Sequence, residues 1–213
     1  MSDLFYRSLR FVGRHPFWLS SRPVVLNAQV TRRPGAYILA SNHQSPYDIP
    51  LLMRHCHRLI DFVSIVEVFR NPFVGWLYGS MNAFPLDRSR PDSPTVRIVL
   101  DRLRRGRVVG MFPEGGFRNG NDSVLVSRRI RPGIGRVAKF AGVEIIPCVI
   151  LNSSIYSRIS SWLPFRRTRY GIHFGAPIAP TGEPEEIEER LIDAMVELHR
   201  VLSEQLAAQI AKP

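Results

Sequence analysis

Short apolar runs alternate with stretches of helical spacing along the chain, and this alternation predicts an α/β domain. Residues 36–40 (AYILA) read as a buried strand ending at Ser41-Asn42-His43, with a helix over 46–55 behind it. A second strand falls at 60–65, followed by a helical region through Tyr78, and a short strand at 83–86 runs into Asp87-Arg88. Val96, Val99, Leu100 and Leu103 share one side of a helix over 95–104. Residues 108–112 (VVGMF) form a strong strand that stops at Pro113-Glu114-Gly115-Gly116. Residues 117–129 are expected as an irregular, mobile loop. Pro132 opens a helix to Ala141, 143–151 (VEIIPCVIL) is another buried strand, and 170–174 a late one, while 152–168 resists assignment. A long helix over 185–210 carries the stripe Leu191, Met195, Leu198, Leu202 and Leu206. The glutamates in its first turns suit the positive end of the helix dipole.

No internal repeat, low-complexity tract or linker interrupts this pattern. The expectation is one domain over 1–213 with a core at 36–180, and a mixed, largely parallel central sheet flanked by helices. The opening segment, about 3–20, has Leu4, Phe5, Leu9, Phe11 and Val12 interleaved with Arg7, Arg10 and Arg14. A short amphipathic helix of this kind either lies in a lipid headgroup layer or packs on the domain. No stretch approaches the roughly 18 uncharged apolar residues of a membrane span. The nearest, 71–86, is broken by Pro72, Gly75, Gly79 and Pro85. No secretory signal is visible at the start.

Composition changes the picture mainly through charge. The chain has 213 residues, 45% of them hydrophobic and 22% charged, as expected of a folded protein rather than a disordered one. Its two cysteines, Cys56 and Cys148, give no disulfide framework and suit a reducing compartment. The net charge of +11 is uneven: residues 183–213 hold eight acidic and three basic residues, leaving a formal +16 on 1–182. Such a surface attracts nucleic acid, anionic lipid headgroups or phosphorylated substrates.

The segment Asn42-His43-Gln44-Ser45-Pro46-Tyr47-Asp48 carries the leading candidate chemistry. A histidine at a strand end and an aspartate in the following helical turn can meet. The carboxylate would then fix the tautomer and leave the other ring nitrogen as a base. The same residues also describe a plain helix start, with Ser45 as N-cap, Pro46 first in the helix and Asp48 three residues on. The two roles are compatible, because a capped helix is a rigid platform. Glu114, Gly115 and Gly116 follow a buried strand, where α/β proteins bind ligands, although Pro-Glu-Gly also makes ordinary turns. Arg88 follows another strand end and suits a phosphate, yet most arginines in so basic a chain simply face solvent.

Three other patterns carry less. Gly133-Ile134-Gly135-Arg136-Val137-Ala138 imitates a dinucleotide fingerprint without a strong strand before it or an acidic partner after it, so helix packing explains its glycines better. His55-Cys56-His57 would point in different directions on a helix, and no second ligand cluster follows. No Gly-x-Ser-x-Gly elbow is present, which disfavours a serine hydrolase.

Taken in order, His43-x4-Asp48, Phe84-Pro85-Leu86-Asp87-Arg88, Phe112-Pro113-Glu114-Gly115 and Ile145-Ile146-Pro147 resemble the four blocks of the glycerolipid acyltransferase family, which includes the 1-acylglycerol-3-phosphate acyltransferases. The resemblance covers about 36–150, with 170–180 as its terminal strand. It implies that family's single α/β domain on the cytoplasmic face of a membrane, peripheral or monotopic. It implies transfer of a fatty acyl group from acyl-CoA or acyl-carrier protein to a lysophospholipid, with no metal, no other cofactor and no nucleic acid. Carried over by position, His43 is the general base and Asp48 its orienting partner. Arg88 would hold the acceptor phosphate, and Glu114 with Gly115 would belong to the acceptor site, Glu114 by positioning Arg88 or accepting from a glycerol hydroxyl. Two departures bear on the acceptor. Gly116 stands where the family usually has threonine or serine, and Ile65-Val66 where many phosphate-acceptor members carry a lysine. These departures leave two alternatives: a phosphate held by Arg118, Arg128, Arg129 or Arg131, or another lysolipid as acceptor, one derived from an amino acid included. A non-catalytic basic module for membrane or nucleic acid is the alternative class.

Overall fold

The computed structural model describes residues 3–65, 76, 79, 82, 84–86, 94–165 and 168–211. The helical region expected through Tyr78 and the Asp87-Arg88 pair lie outside the described residues. In chain order the elements are α1 (Asp3–Ser20), β1 (Val24–Leu26), β2 (Tyr37–Ser41), α2 (Asp48–His55), β3 (Ile60–Ile65), β4 (Phe84–Leu86) and α3 (Pro94–Arg104). There follow β5 (Val108–Met111), the single-turn α4 (Val124–Ser127), α5 (Ile134–Ala141), β6 (Ile145–Leu151), β7 (Gly171–Phe174) and α6 (Pro184–Ala211).

The described strands form one seven-stranded sheet in the order β1-β7-β6-β2-β5-β3-β4. Every neighbouring pair is parallel except β6 with β7, so the mixed, largely parallel sheet expected from the apolar runs is what forms. β2, β5 and β6 lie at or next to the centre and are almost wholly buried, which explains their continuous apolar sequences. Successive side chains point to opposite faces. Tyr37, Leu39, Phe62, Ile146 and Ile150 join α1 and α2 in one core layer. Ile38, Ala40, Val109, Ile145 and Val149 join α3, α5 and α6 in the other. Fully burying one side chain such as Leu202 of α6 stabilises the fold by roughly 1.5–3 kcal/mol.

α6 does more than cover the sheet. Glu188 accepts the backbone N–H groups of Gly133 and Gly135 at 2.7 and 3.1 Å, so the start of α5 is already occupied by an anion from this chain. A Cβ at Gly135 would stand 2.2 Å from the Pro184 carbonyl oxygen. The glycine pair therefore serves close helix packing, as its sequence context suggests.

α1 packs Tyr6 and Phe17 inward and presents Leu4, Phe11, Val12, Trp18 and Leu19 outward. The spacing 4-11-18 and 12-19 puts these outer residues on one face. The helix start is tied down by Arg107, which bridges Asp3 at 2.8 Å and the fully buried Asp61 at 2.6 Å. Among the described residues no helix is long and apolar enough to cross a membrane.

Candidate active site

The carboxyl end of β2 runs directly into the site. Asn42 is buried and exchanges two hydrogen bonds with the backbone of Ile150, donating to its carbonyl at 2.9 Å and accepting its N–H at 2.8 Å. One side chain thus extends the β2–β6 ladder past the strand end and fixes where the next residue begins. That next residue is His43. Its N–H donates to Glu114 at 2.6 Å and its carbonyl accepts from the Arg118 N–H at 2.8 Å, so its backbone is clamped from both sides.

The His43 ring donates from Nδ1 to Asp48 Oδ2 at 2.8 Å. The same oxygen accepts the N–H groups of Gln44 and Ser45 at 2.7 and 2.9 Å, and Asp48 is wholly buried. An acceptor-only oxygen at Nδ1 puts the ring proton there and leaves the Nε2 lone pair open. Phe112 stacks on the imidazole with centroids 3.8 Å apart and an 11° tilt, and Phe117 closes in at 4.4 Å. The imidazole keeps 13% of its surface exposed, enough to meet a substrate while its partner stays dry.

The helix start differs from the expected pattern, because the cap position falls at Tyr47, which makes no side-chain cap bond, rather than at Ser45. α2 begins at Asp48 rather than at Pro46, but Ser45 Oγ accepts the Tyr47 N–H at 3.2 Å while Asp48 reaches back to the Ser45 N–H. These bonds in the turn before α2 orient the carboxylate that holds His43.

Glu114 lies beside the pair and is held by three donors. One oxygen takes the His43 N–H, and the other accepts from Ser123 Oγ at 2.9 Å and the Val124 N–H at 2.7 Å. These three donors are its partners among the described residues. Burial pushes its carboxyl above the usual range, opposed in turn by the Val124, His43 and Ser123 bonds. The expected irregular loop over 117–129 also needs correction. It contains α4, whose Val124 and Leu125 are buried and whose first N–H is held by Glu114. Ser123 caps α4 by accepting the Leu125 N–H, and nothing in the local pattern marks it as Glu114's partner.

Gly115 sits in the turn after β5 with φ 71°, and a Cβ there would stand 2.4 Å from the Arg131 side chain. Its described role is to let Arg131 pass. A cavity of about 320 Å³ opens next to Glu114 and is lined by Arg118, Arg129 and Arg131 together with Asp122. Three of the four arginines considered for a phosphate therefore converge. Arg128 does not, because it pairs with Asp193 on α6. Arg88, the other phosphate candidate, lies outside the described residues. In the His55-Cys56-His57 run, His55 bonds Tyr170, Cys56 meets Tyr37 and His57 bonds Thr31, so the three side chains diverge.

A mixed α/β sheet thus carries a carboxylate-held histidine at the carboxyl edge of a central strand, beside an arginine-lined cavity. Residues 22–151 match the family model described as acyltransferase, and the chain belongs to that family. It is 29% identical over 145 residues to the 1-acyl-sn-glycerol-3-phosphate acyltransferase of Streptococcus pneumoniae, covering 67% of this chain and 50% of that protein. It is 31% identical over 128 residues to a lyso-ornithine lipid O-acyltransferase of Pseudomonas aeruginosa, covering 60% of this chain and 46% of the relative. The chain thus spans about half the length of these relatives. The crystal structure of PlsC, the 1-acyl-sn-glycerophosphate acyltransferase of Thermotoga maritima, shares the fold with a TM-score of 0.68 at 20% identity, over 98% of this chain and 80% of that one.

Proposed function

We propose that this protein transfers a fatty acyl group from an acyl thioester, acyl-CoA or acyl-carrier protein, to the free hydroxyl of a lysophospholipid, with 1-acylglycerol-3-phosphate as the preferred acceptor. The observation that carries this reading is the 2.8 Å bond from His43 Nδ1 to the buried Asp48. Nε2 takes the proton of the acceptor hydroxyl as its oxygen attacks the thioester carbonyl. Asp48 stabilises the imidazolium. Collapse of the tetrahedral intermediate breaks the carbon–sulfur bond, and the departing thiolate takes the proton from His43. Arg118, Arg129 and Arg131 offer the acceptor's phosphate charge-assisted hydrogen bonds. Gly115 keeps Arg131 in place, and Glu114 acts through the His43 backbone.

The outward apolar face of α1 and the basic body support attachment to the surface of an anionic membrane on its cytoplasmic side. Asp122 among the three arginines favours a second acceptor class, a lysolipid whose head carries both an ammonium and an anionic group. The name of the Pseudomonas relative points the same way.

The test is release of free thiol from acyl-CoA in the presence of mixed lysolipids, with the acylated product identified by mass spectrometry. Phosphatidate from wild-type protein and none from His43→Ala is the expected result. Wild-type rates in His43→Ala would end the proposal.

A further inference from the structure

Two adjoining cavities between α1 and α2 share Arg10, Arg14 and Arg54. One, about 380 Å³, is otherwise apolar, with Leu9, Phe17, Pro46, Tyr47 and Met53 among its walls. The other, about 780 Å³, adds Arg7, His15 and His55. Among the described residues no carboxylate lines either one. Among the described residues, Arg10 donates only to the His57 carbonyl, and Arg14 rests over the Phe11 ring at 4.4 Å. Arg54 is more exposed to imbalance: its Nη1 is buried and has no hydrogen-bond partner. His55 supplies no negative charge. It bonds Tyr170 at 2.9 Å, and burial, then Arg54 and Arg10, push it down to about 3, which keeps it neutral. A buried guanidinium N–H without a partner is costly, and three arginines facing one space leave a charge to be balanced.

We infer that this groove binds one anionic phospholipid, its phosphate held by Arg10, Arg14 and Arg54 and its acyl chain laid along Leu9, Phe17, Pro46 and Met53. The two halves of the groove select the ligand together. A free phosphate would satisfy the arginines and leave the apolar walls wet. A neutral chain would fill the walls and leave Arg54 unpaired. His43 lines neither cavity, so the bound lipid is separate from the acceptor being acylated. Its source is the bilayer under the outer face of α1, and for that source the inference rests on the membrane-surface reading given above. Arg7 and Arg14 flank that outer face, which places the cationic end of the groove at headgroup level.

The experiment is thermal unfolding with soluble short-chain lipids. Dihexanoylphosphatidic acid at about ten times its Kd should raise Tm by about 3–6 °C. Dihexanoylphosphatidylcholine, inorganic phosphate and CoA should each raise it by less than a third of that. Arg54→Met should abolish the shift, and its ligand-free Tm should equal or exceed that of the wild type, because a buried N–H without a partner has been removed. Gly13→Leu should also abolish it, since a Cβ at Gly13 meets nothing within 4 Å and the longer side chain enters the groove. His43→Ala should keep the full shift. The inference is overturned if Arg54→Met retains the shift, if phosphate alone reproduces it, or if CoA gives the Arg54-dependent shift instead. Loss of the shift in His43→Ala would place the lipid in the catalytic site and overturn it as well. Acyl transfer without an Arg54-dependent shift would sink this inference alone, and the shift without transfer would sink the proposed activity alone.

Discussion

Glu114 holds the amide of His43 from 71 residues away, with its carboxylate 2.6 Å from that nitrogen. His43 is thus held by two separate strand ends, β2 and β5, which pair in parallel register. Its position depends on both.

Replacing Asp48 by Asn should lower kcat by about 10²–10⁴-fold with a smaller effect on KM. The amide can present a donor to Nδ1 and favour the wrong tautomer. Steady-state kinetics of thiol release check this, and unchanged kcat would remove Asp48 from the mechanism.

Charge removal in the arginine-lined cavity should act on the acceptor. Arg131→Gln and Arg118→Gln are each expected to raise KM for 1-acylglycerol-3-phosphate about tenfold or more, as for loss of a charge-assisted bond. KM for the acyl thioester should stay within twofold. A rise confined to the thioester would assign the cavity to the donor.

Gly115→Ala should destabilise the protein by about 1–3 kcal/mol, since a side chain at φ 71° is strained and Arg131 blocks its space. Denaturant unfolding measures this. A wild-type midpoint would mean that the turn relaxes freely.

The buried carboxyl of Glu114 predicts a slope of stability with pH. Its folded pKa lies above the unfolded value, so between the two the native state holds more protons and stability falls as pH rises. Asp3 acts oppositely. The Arg107 bond lowers its pKa, so its contribution is present above the unfolded value near 3.8 and lost as pH falls through the folded one. Glu114→Gln should flatten the decline just above pH 4.5, seen as a smaller change in Tm across that window. An identical profile in the variant would mean that another group sets it.

Breaking the Asp61–Arg107 bridge should cost far more than breaking Asp3–Arg107. Asp61 is fully buried and pairs with both Arg107 and Arg102, so its removal takes the buried partner from two cations, of which Arg107 keeps Asp3, and should cost about 3 kcal/mol. The half-exposed Asp3 should cost about 1 kcal/mol or less. Unfolding free energies of Asp61→Ala and Asp3→Ala compare the two.

Much of this could be read from the chain because burial leaves a local record. The run 60–65 is β3 itself, 145–151 is the inner part of the expected 143–151 strand, and the Leu191–Leu206 stripe lies on α6. His43 and Asp48 were legible because only one turn separates them. β1 was not: three residues between Pro23 and Asn27 are too short to show a period, and their identity as a strand comes from pairing with β7. The Asn42–Ile150 and Glu114–Ser123 bonds join positions whose proximity only the folded sheet creates. The stretch over 152–168 resisted assignment for a related reason. It forms two short 3₁₀ turns, which lack the repeat length that periodicity needs.

The pairing of β1 with β7 also says something about how this protein comes to be assembled. Val24 can form its ladder bonds only when Gly171 is available, and α6 covers the joint from still further along. During synthesis the sheet must wait, one edge open, for most of the polypeptide to emerge. Long-range parallel pairing of this kind slows folding, so a nascent chain arrested before Gly171 should be a ready client for chaperones.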